Sequence, residues 1–505
     1  MLLADVAAAS AAVGATAARN AKVTLLAACL AAAGPEDVPI VVAYLSGDLP
    51  QRRTGVGYRS LAGLPGPADS PSLTVAEAND AFDRIAACAG PGSVTERRRL
   101  LADVFARATA QEQRFLSALV GGELRQGALE SLVTDAVAKA SGLPLNDVRR
   151  AAMLRGALPP VAAAAVSGAP LDTFTLEVGR PVQPMLASPA TDVADAAARL
   201  GEAAYEWKLD GVRVQVHRSG DDVRVFTRTL DDMTARVPDV VEAVLSLDVQ
   251  AVVLDGEAIA LAHDGTPRPF QVTGSRAATT GAHERTPLTA FYFDLLHVDG
   301  TDYLGAPATE RWAALDRVVP EPLRIPRIVT ADAETARAFF EATVARGHEG
   351  VVAKSLTAPY DAGRRGAAWL KVKPRHTLDL VVLAAEWGHG RRRGWLSNLH
   401  LGARDPETGG WVMLGKTFKG LTDEMLAWQT ERFLAIEESR NEWQVFVRPE
   451  MVVEIAFDGV QTSPRYPGGV ALRFARVLRY RDDKTAEEAD TIETVRELAT
   501  VSADD

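Results

Sequence analysis

The sequence predicts a multidomain protein: an all-α N-terminal region, an α/β (α+β) middle and a C-terminal β-barrel. Three observations carry this. Apolar residues fall at helical spacing through residues 1–175, valines alternate with polar residues at period two after Pro184, and short strands divided by glycine turns fill residues 375–505. A chain of 505 residues, 47% hydrophobic and 24% charged, is ordinary globular protein too long for one core.

The elements follow in order. Met1–Gly34 is rich in Ala and Leu and reads as a helix. Asp5, Arg19 and Lys22 break the order a secretory signal would have, which places the protein in a cytoplasmic setting. In Thr95–Val120, Leu100, Leu101, Val104 and Phe105 share one helical face, as do Phe115, Leu116, Leu119 and Val120. Pro91-Gly92 and Gly121-Gly122 punctuate these pieces, and the Pro- and Ala-rich passage Leu158–Pro170 closes the region.

The middle, residues 181–374, opens its pattern with Val212, Val214 and Val216, then turns at Ser219-Gly220-Asp221 into Val223, Val225 and Phe226, a hairpin. Strands are expected at Ala251–Leu261, Leu288–Leu295 and Gly350–Ala353, with a helix over Ala331–Arg346. Residues 375–505 begin with a strand at Leu378–Ala384. They continue through Trp395–Leu401, Trp411–Lys416 and Met451–Phe457, with one helix at Leu421–Glu438, the pattern of a small barrel.

Composition excludes several classes. No run of about 18 apolar residues occurs, so no membrane span is expected. Cys29 and Cys88 are the only cysteines, too few for a four-cysteine zinc site, and a reducing compartment fits them. The eight histidines are scattered, so a catalytic metal should be a hard cation on carboxylate and phosphate oxygen. The net charge of −11 speaks at first against nucleic acid, but 361–420 holds eleven Lys and Arg against five Asp and Glu. A localised binding track is the expectation.

Chemistry concentrates in Glu206-Trp207-Lys208-Leu209-Asp210-Gly211-Val212-Arg213, read as an exposed turn leading into the Val212 strand. A lysine attacks phosphorus only as the neutral amine, and its free pKa is about 10.4. Burial, cationic neighbours or a bound metal must lower it. Gly211 permits close chain approach at the start of that strand.

This KxDGxR segment resembles the nucleotidyl-transfer signature of the covalent nucleotidyltransferases: DNA ligases, RNA ligases and capping enzymes. Five further segments resemble the family's motifs in its order: Phe226-Thr227-Arg228, Asp255-Gly256-Glu257, Phe291-Tyr292-Phe293-Asp294, Glu349–Lys354 and Trp369–Lys373. By that resemblance Lys208 is the nucleophile toward the α-phosphate of ATP and becomes the phosphoramidate. Glu206 reads the adenine, Arg213 and Arg228 hold ribose and phosphate, Glu257 accepts the ribose hydroxyl, and Phe293 is the base platform. Lys371 and Lys373 neutralise the α-phosphate. Glu349, with Glu257, is implied to hold Mg²⁺ or Mn²⁺, and Arg365 is a further nucleotide candidate. Arg228 is also placed for the 5′-phosphate of a nick, since a guanidinium fork binds phosphate bidentately. Read from the residues alone, Phe291 and Phe293 are equally core positions of an apolar strand, and Asp210 and Asp294 equally orient neighbours.

The flanks distinguish within the family. Arg481-Asp482-Asp483-Lys484 resembles the RxDK motif of a ligase OB-fold, which implies that Arg481 and Lys484 orient pyrophosphate and that the C-terminal domain rotates between steps. Gly122-Glu123-Leu124-Arg125-Gln126-Gly127 resembles the GxLRxG segment of the helical DNA-binding domain of ATP-dependent DNA ligases, making Arg125 a phosphate contact. Pro181–Leu186, Pro269-Phe270-Gln271 and Ser463–Pro467 match the same family. The resemblance spans nearly the whole chain and implies a monomer that closes as a clamp on nicked duplex DNA. Arg391-Arg392-Arg393 reads as a solvated loop or a DNA contact. A preference for RNA-containing nicks, and a non-catalytic DNA-end scaffold, stay open as alternatives. The pathway served, whether replication, repair or recombination, is not specified by these residues.

Overall fold

Nine α-helices, from Leu3–Gly14 to Leu158–Val166, build the N-terminal region around one core containing Leu3, Leu26, Leu30, Val42, Phe82, Phe105, Leu116 and Val137. The structure is a computed structural model that describes residues 1–51, 54–124, 126–127, 130–279, 286–361, 365–374, 376–389 and 392–500, and counts refer to these. The opening stretch, expected as one helix, is two: Leu3–Gly14 and Arg19–Ala32. Thr95–Val120 resolves into Ser93–Arg107 and Ala110–Val120. The second begins where Thr109 and Glu112 cap each other's backbone amides. Leu158–Val166 carries its prolines in the first turn, where a missing N–H costs nothing.

The middle of the chain forms two five-stranded sheets. The first has the order β1-β10-β9-β2-β8, with β1 Leu186–Pro189, β2 Ala203–Lys208, β8 Arg327–Thr330, β9 Gly350–Ser355 and β10 Arg365–Val372. The second runs β4-β3-β5-β6-β7: β3 Val212–Ser219, β4 Asp222–Phe226, β5 Ala251–Ala260, β6 Leu288–Val298 and β7 Thr301–Asp302. Helices Val193–Leu200 and Ala333–Ala345 cover the outer face of the first sheet, and Pro238–Leu245 and Ala308–Val318 that of the second. Between the inner faces lie Met185, Val253, Leu296, Tyr360 and Trp369, partly flanked by Phe293 and Val352. The crevice between the sheets is where the functional side chains converge.

The C-terminal strands are β11 His376–Trp387, β12 Leu396–Arg404, β13 Trp411–Thr417, β14 Glu437–Arg440, β15 Gln444–Val447, β16 Val452–Phe457, β17 Gly459–Thr462, β18 Val470–Arg473 and β19 Arg476–Tyr480. The hairpin β17–β18 stands apart as its own two-stranded sheet. The expected barrel is not closed: β13 and β14 end the main path, and among the described residues no ladder joins them. The twelve-residue β11 pairs β16 along His376–Val381 and β15 along Ala384–Glu386, and its ladder with β12 shifts register between Val382 and Ala384. One strand serving two partners along its length bends the sheet without sealing it. The helix Asp423–Ala435 packs Leu426 and Phe433 into this core.

Candidate active site

Lys208 is the last residue of β2, half-buried at the mouth of the crevice and not on an exposed turn. Its strand runs between β9 and β8 in the first sheet, Lys208 lies opposite Gly350 of β9, and Glu349 precedes Gly350 directly. The Glu349 carboxylate bridges two ammoniums, those of Lys208 and Lys373. Because Glu349 is shared, it does not hold a proton on Lys208 alone. Burial, reinforced by the charges of Lys373 and Lys371, outweighs the pull of Glu257 and Asp210 and lowers the Lys208 pKa to about 8. The neutral amine that the chemistry needs is thereby available near neutral pH. At Gly211 a Cβ would strike the Ala258 carbonyl oxygen and the Ile259 side chain, so only glycine lets β3 leave this close to β5.

Across the crevice, Glu257 of β5 lies opposite Arg213 of β3. Burial pushes Glu257 up to about 7, against the opposing pull of Arg213 and Lys208. Arg213 is itself held in a fork: Nε and Nη2 donate to the two carboxylate oxygens of Asp255 at 2.8 and 2.6 Å. The Tyr360 hydroxyl donates to the same carboxylate at 2.6 Å, and burial followed by Asp255 pushes the tyrosine pKa far up, so it remains a donor. Arg213 thus presents a pre-aimed guanidinium 5.0 Å from the centre of the Phe293 ring.

Glu206, two residues before Lys208 on the same face, is 1% exposed. It lies opposite Arg327 of β8 on one side and Val352 of β9 on the other. Arg327 donates from Nε to Oε1 at 2.7 Å, with Nη2 in ionic contact with the same oxygen at 2.6 Å, and Lys354 Nζ stands 2.5 Å from Oε2. Phe293 is partly buried between the sheets, edge-on to Trp369 at 5.9 Å. Phe291, also partly buried, packs with Leu209, Ile259 and Ile325, a cluster that Phe293 touches as well. Lys371 lies opposite Val352, on the same inner face as Glu206 and Lys208. An amine of lowered pKa, carboxylates and a row of lysines and arginines therefore line one cleft beside an aromatic ring, an arrangement suited to a nucleoside triphosphate.

Comparison with known proteins agrees with this geometry. Residues 184–373 match the model of the ATP dependent DNA ligase domain, 392–484 that of the ATP dependent DNA ligase C terminal region, and 59–138 that of the DNA ligase N terminus. A "Probable DNA ligase" of Mycolicibacterium gilvum is 62% identical over 506 residues, covering 99% of both chains, and one of Nocardioides sp. is 60% identical over 504 residues, covering 98% of both. The chain belongs to the ATP-dependent DNA ligase family. A solved structure titled "Pmar-Lig_Pre." shares the fold, with a TM-score of 0.64 at 17% identity over 94% of this chain and 99% of that one.

Not every residue singled out from sequence gathers at Lys208 of this ligase. Arg228 is exposed on the turn after β4 and lines a cleft facing the N-terminal helices, together with Arg149, Gly122 and Gln183. Arg481 and Lys484 both donate to Asp379 Oδ2, at 2.8 and 2.6 Å, and Arg481 also forks onto Asp483. Arg125 and Arg391 lie outside the described residues, and Arg365 enters only as a backbone position of β10 opposite Leu186. Arg392 donates to the Phe418 carbonyl at 2.6 Å. Asp294 is sealed in a fully buried fork with Arg311 and does not face the cleft.

The C-terminal region reaches the cleft through Asp458, which no motif flagged, and through Arg473, which opens the stretch that resembles the last ligase motif. Asp458 accepts from Lys373 Nζ at 3.0 Å, and Arg473 Nη1 donates to Asp210 Oδ2 at 2.8 Å. Asp255, Tyr360, Arg327 and Asp458 were all missed by sequence reasoning. Asp255 begins the Asp255-Gly256-Glu257 segment and could have been weighed as a partner for an arginine; the other three carry no local signal. For a metal, no group of three His, Cys, Asp or Glu gathers among the described residues. Glu349, just before β9, and Glu257, on β5, offer oxygen donors only, which fits a hard cation sharing its shell with phosphate and water. No helix among the described residues is long and apolar enough to cross a membrane.

Proposed function

We propose that this ligase seals nicks in duplex DNA through an adenylate carried on Lys208. The observation that carries the reading is the Lys208 amine, lowered to about 8 by burial beside Lys373 and Lys371 at the end of β2. Its Nζ attacks the α-phosphorus of ATP, the bond to the β-phosphate breaks, pyrophosphate departs, and the nitrogen gives its proton to solvent. An oxygen of the nick's 5′-phosphate then attacks the adenylate phosphorus, and Lys208 leaves as the amine. Finally the 3′-hydroxyl attacks the 5′-phosphorus, losing its proton as AMP is expelled. Catalysis of this kind is chiefly positioning and charge neutralisation.

The remaining roles follow the same reading. Glu206 and Phe293 receive the adenine, and Glu257 the ribose. Arg213, Lys371, Lys373 and Arg365 surround the phosphates. Glu349 and Glu257 would hold Mg²⁺ or Mn²⁺, which would withdraw charge from the α-phosphate. Arg228 and Arg125 serve the DNA backbone. The bent C-terminal sheet, read as an OB-type module from its Arg481–Lys484 segment, supplies Arg481 and Lys484 to the first step only after leaving Asp379. Domain movement between steps is therefore part of the proposal, as are a monomeric clamp on DNA and service in repair, replication or recombination.

The test is intact-protein mass before and after incubation with ATP and Mg²⁺. One adenylate is expected on the wild type and none on Lys208→Ala. An adduct persisting on that variant refutes the assignment. With Arg481→Ala, self-adenylation is expected to fall while sealing of pre-adenylylated nicks continues.

A further inference from the structure

The Glu206 carboxylate sits in an unusual surplus of donors. Arg327 donates from Nε to Oε1 at 2.7 Å and sets Nη2 in ionic contact with the same oxygen at 2.6 Å, while the Lys354 ammonium stands 2.5 Å from Oε2 as an ion pair. A carboxylate offers about four acceptor directions; the guanidinium closes off Oε1 and Lys354 flanks one side of Oε2, which leaves the open direction on Oε2. What is left for a ligand is an acceptor and not a donor. The two cations also fix where that acceptor points. Arg327 lies with its guanidinium 4.0 Å from the centre of the Trp312 ring and donates from Nη2 to the Phe293 carbonyl at 3.3 Å. Lys354 Nζ is 4.3 Å from the centre of the Phe293 ring and 4.1 Å from that of Trp369. Both hold the carboxylate and the aromatic ring in one rigid unit, across the boundary between the two sheets.

We propose that Arg327, seconded by Lys354, is the positioning residue for nucleobase selection: it locks Glu206 so that the one free acceptor meets a purine 6-amino group and rejects a 6-oxo group. This rests on the reading of Glu206 as the base-reading carboxylate. Adenine donates from its amino nitrogen to that lobe. A 6-oxo purine would place a carbonyl oxygen against it, acceptor facing acceptor. A 6-unsubstituted purine would leave the lobe unpaired in a buried site. Sites built around a substrate donor discriminate strongly against analogues lacking it, because the buried partner is left unpaired. A guanidinium fork suits the task because Nε and Nη2 both converge on Oε1 while Nη2 also reaches the Phe293 carbonyl, a planar two-nitrogen contact that a lysine in its place would not make.

The experiment compares self-adenylation by ATP with self-nucleotidylation by purine riboside triphosphate and by inosine triphosphate, on the full-length ligase carrying Arg327→Met, Arg327→Lys or Glu206→Ala. For Arg327→Met, KM for ATP is expected to rise at least tenfold with a smaller change in kcat. The preference for ATP over purine riboside triphosphate is expected to fall at least tenfold, and inosine triphosphate to become a better substrate relative to ATP. Arg327→Lys, which keeps the charge and loses the fork, is expected to stay folded and lose an intermediate share of the preference. A purely structural role would lower all three nucleotides alike and leave the ratios at the wild-type value. Wild-type ratios in both Arg327 variants, with a collapsed ratio in Glu206→Ala, overturn the proposal while sparing the reading of Glu206. Wild-type ratios in Glu206→Ala overturn that reading itself.

Discussion

Asp458, in the turn between β16 and β17, accepts a hydrogen bond from Lys373 Nζ at 3.0 Å. Lys373 also pairs with Glu349, and Glu349 with Lys208, so alternating charges run from the C-terminal region to Lys208. Arg473 and Asp210 make a second tie at 2.8 Å. In this arrangement Asp458 occupies the lysine that the reading above assigns to phosphate.

Asp458 should therefore compete with ATP. For Asp458→Asn we expect KM for ATP in self-adenylation to fall by about twofold to fivefold, the range set by a partly exposed ion pair. The effect should shrink as salt is raised. Titrating ATP against adenylated protein at low and high salt checks this, and a KM that rises instead would show that Asp458 assists binding.

The pH profile should carry two breaks. The folded pKa of Lys208 is lowered to about 8, so the reactive neutral amine accumulates as pH rises toward 8 and is complete above it. That of Glu257 is raised to about 7, so its carboxylate is available only above 7. Single-turnover adenylation should climb steeply below 7, more gently from 7 to 8, and level off beyond. Glu257→Gln should be slower and lose the lower break. A rate still climbing tenfold per unit above pH 9 would mean that Lys208 keeps an ordinary lysine pKa of about 10.4.

Asp294 should matter to stability and not to chemistry. Its carboxylate and the Arg311 guanidinium are both fully buried, at 2.7 and 3.1 Å. Asp294→Ala would strand a buried cation at a cost of about 3–5 kcal/mol. Chemical denaturation should report that loss, while the folded fraction adenylates at near the wild-type KM for ATP. An unchanged unfolding midpoint would contradict the assignment.

Gln126 pins the segment next to Arg125. It accepts from the Ser10 hydroxyl at 2.6 Å and donates to the Leu45 carbonyl, while its own carbonyl takes Lys22 Nζ at 2.7 Å. Gln126→Ala leaves buried partners unpaired, costing about 1–3 kcal/mol. We expect several-fold weaker binding of a nicked duplex in a gel-shift assay, with self-adenylation unaltered. Equal loss of both would show a global defect.

Much of this molecule was legible from its residues because the signals are local. Val212–Val216 at period two and the Ser219-Gly220-Asp221 turn specify β3 and β4 without outside help, since a strand face and a tight turn depend on near neighbours. The ordered series from Glu206 to Lys373 likewise named the lysine, the carboxylates and the aromatic that gather in the crevice. Phe291 and Phe293 could not be told apart by spacing; both are partly buried against Ile259 and Ile325, and the tertiary structure separates them by setting Trp369, Arg213 and Lys354 against the Phe293 ring.

Sequence by itself determined which groups could do the chemistry, and with them the succession of helical, α/β and β-rich regions. Only the tertiary structure decided that Asp255 clamps Arg213, that Arg327 and Lys354 flank Glu206, that Asp458 reaches Lys373, and that the C-terminal sheet stays open. These are pairings between positions far apart in the chain. Their strength comes from burial and approach within hydrogen-bond distance, quantities that exist only once the sheets have closed on each other.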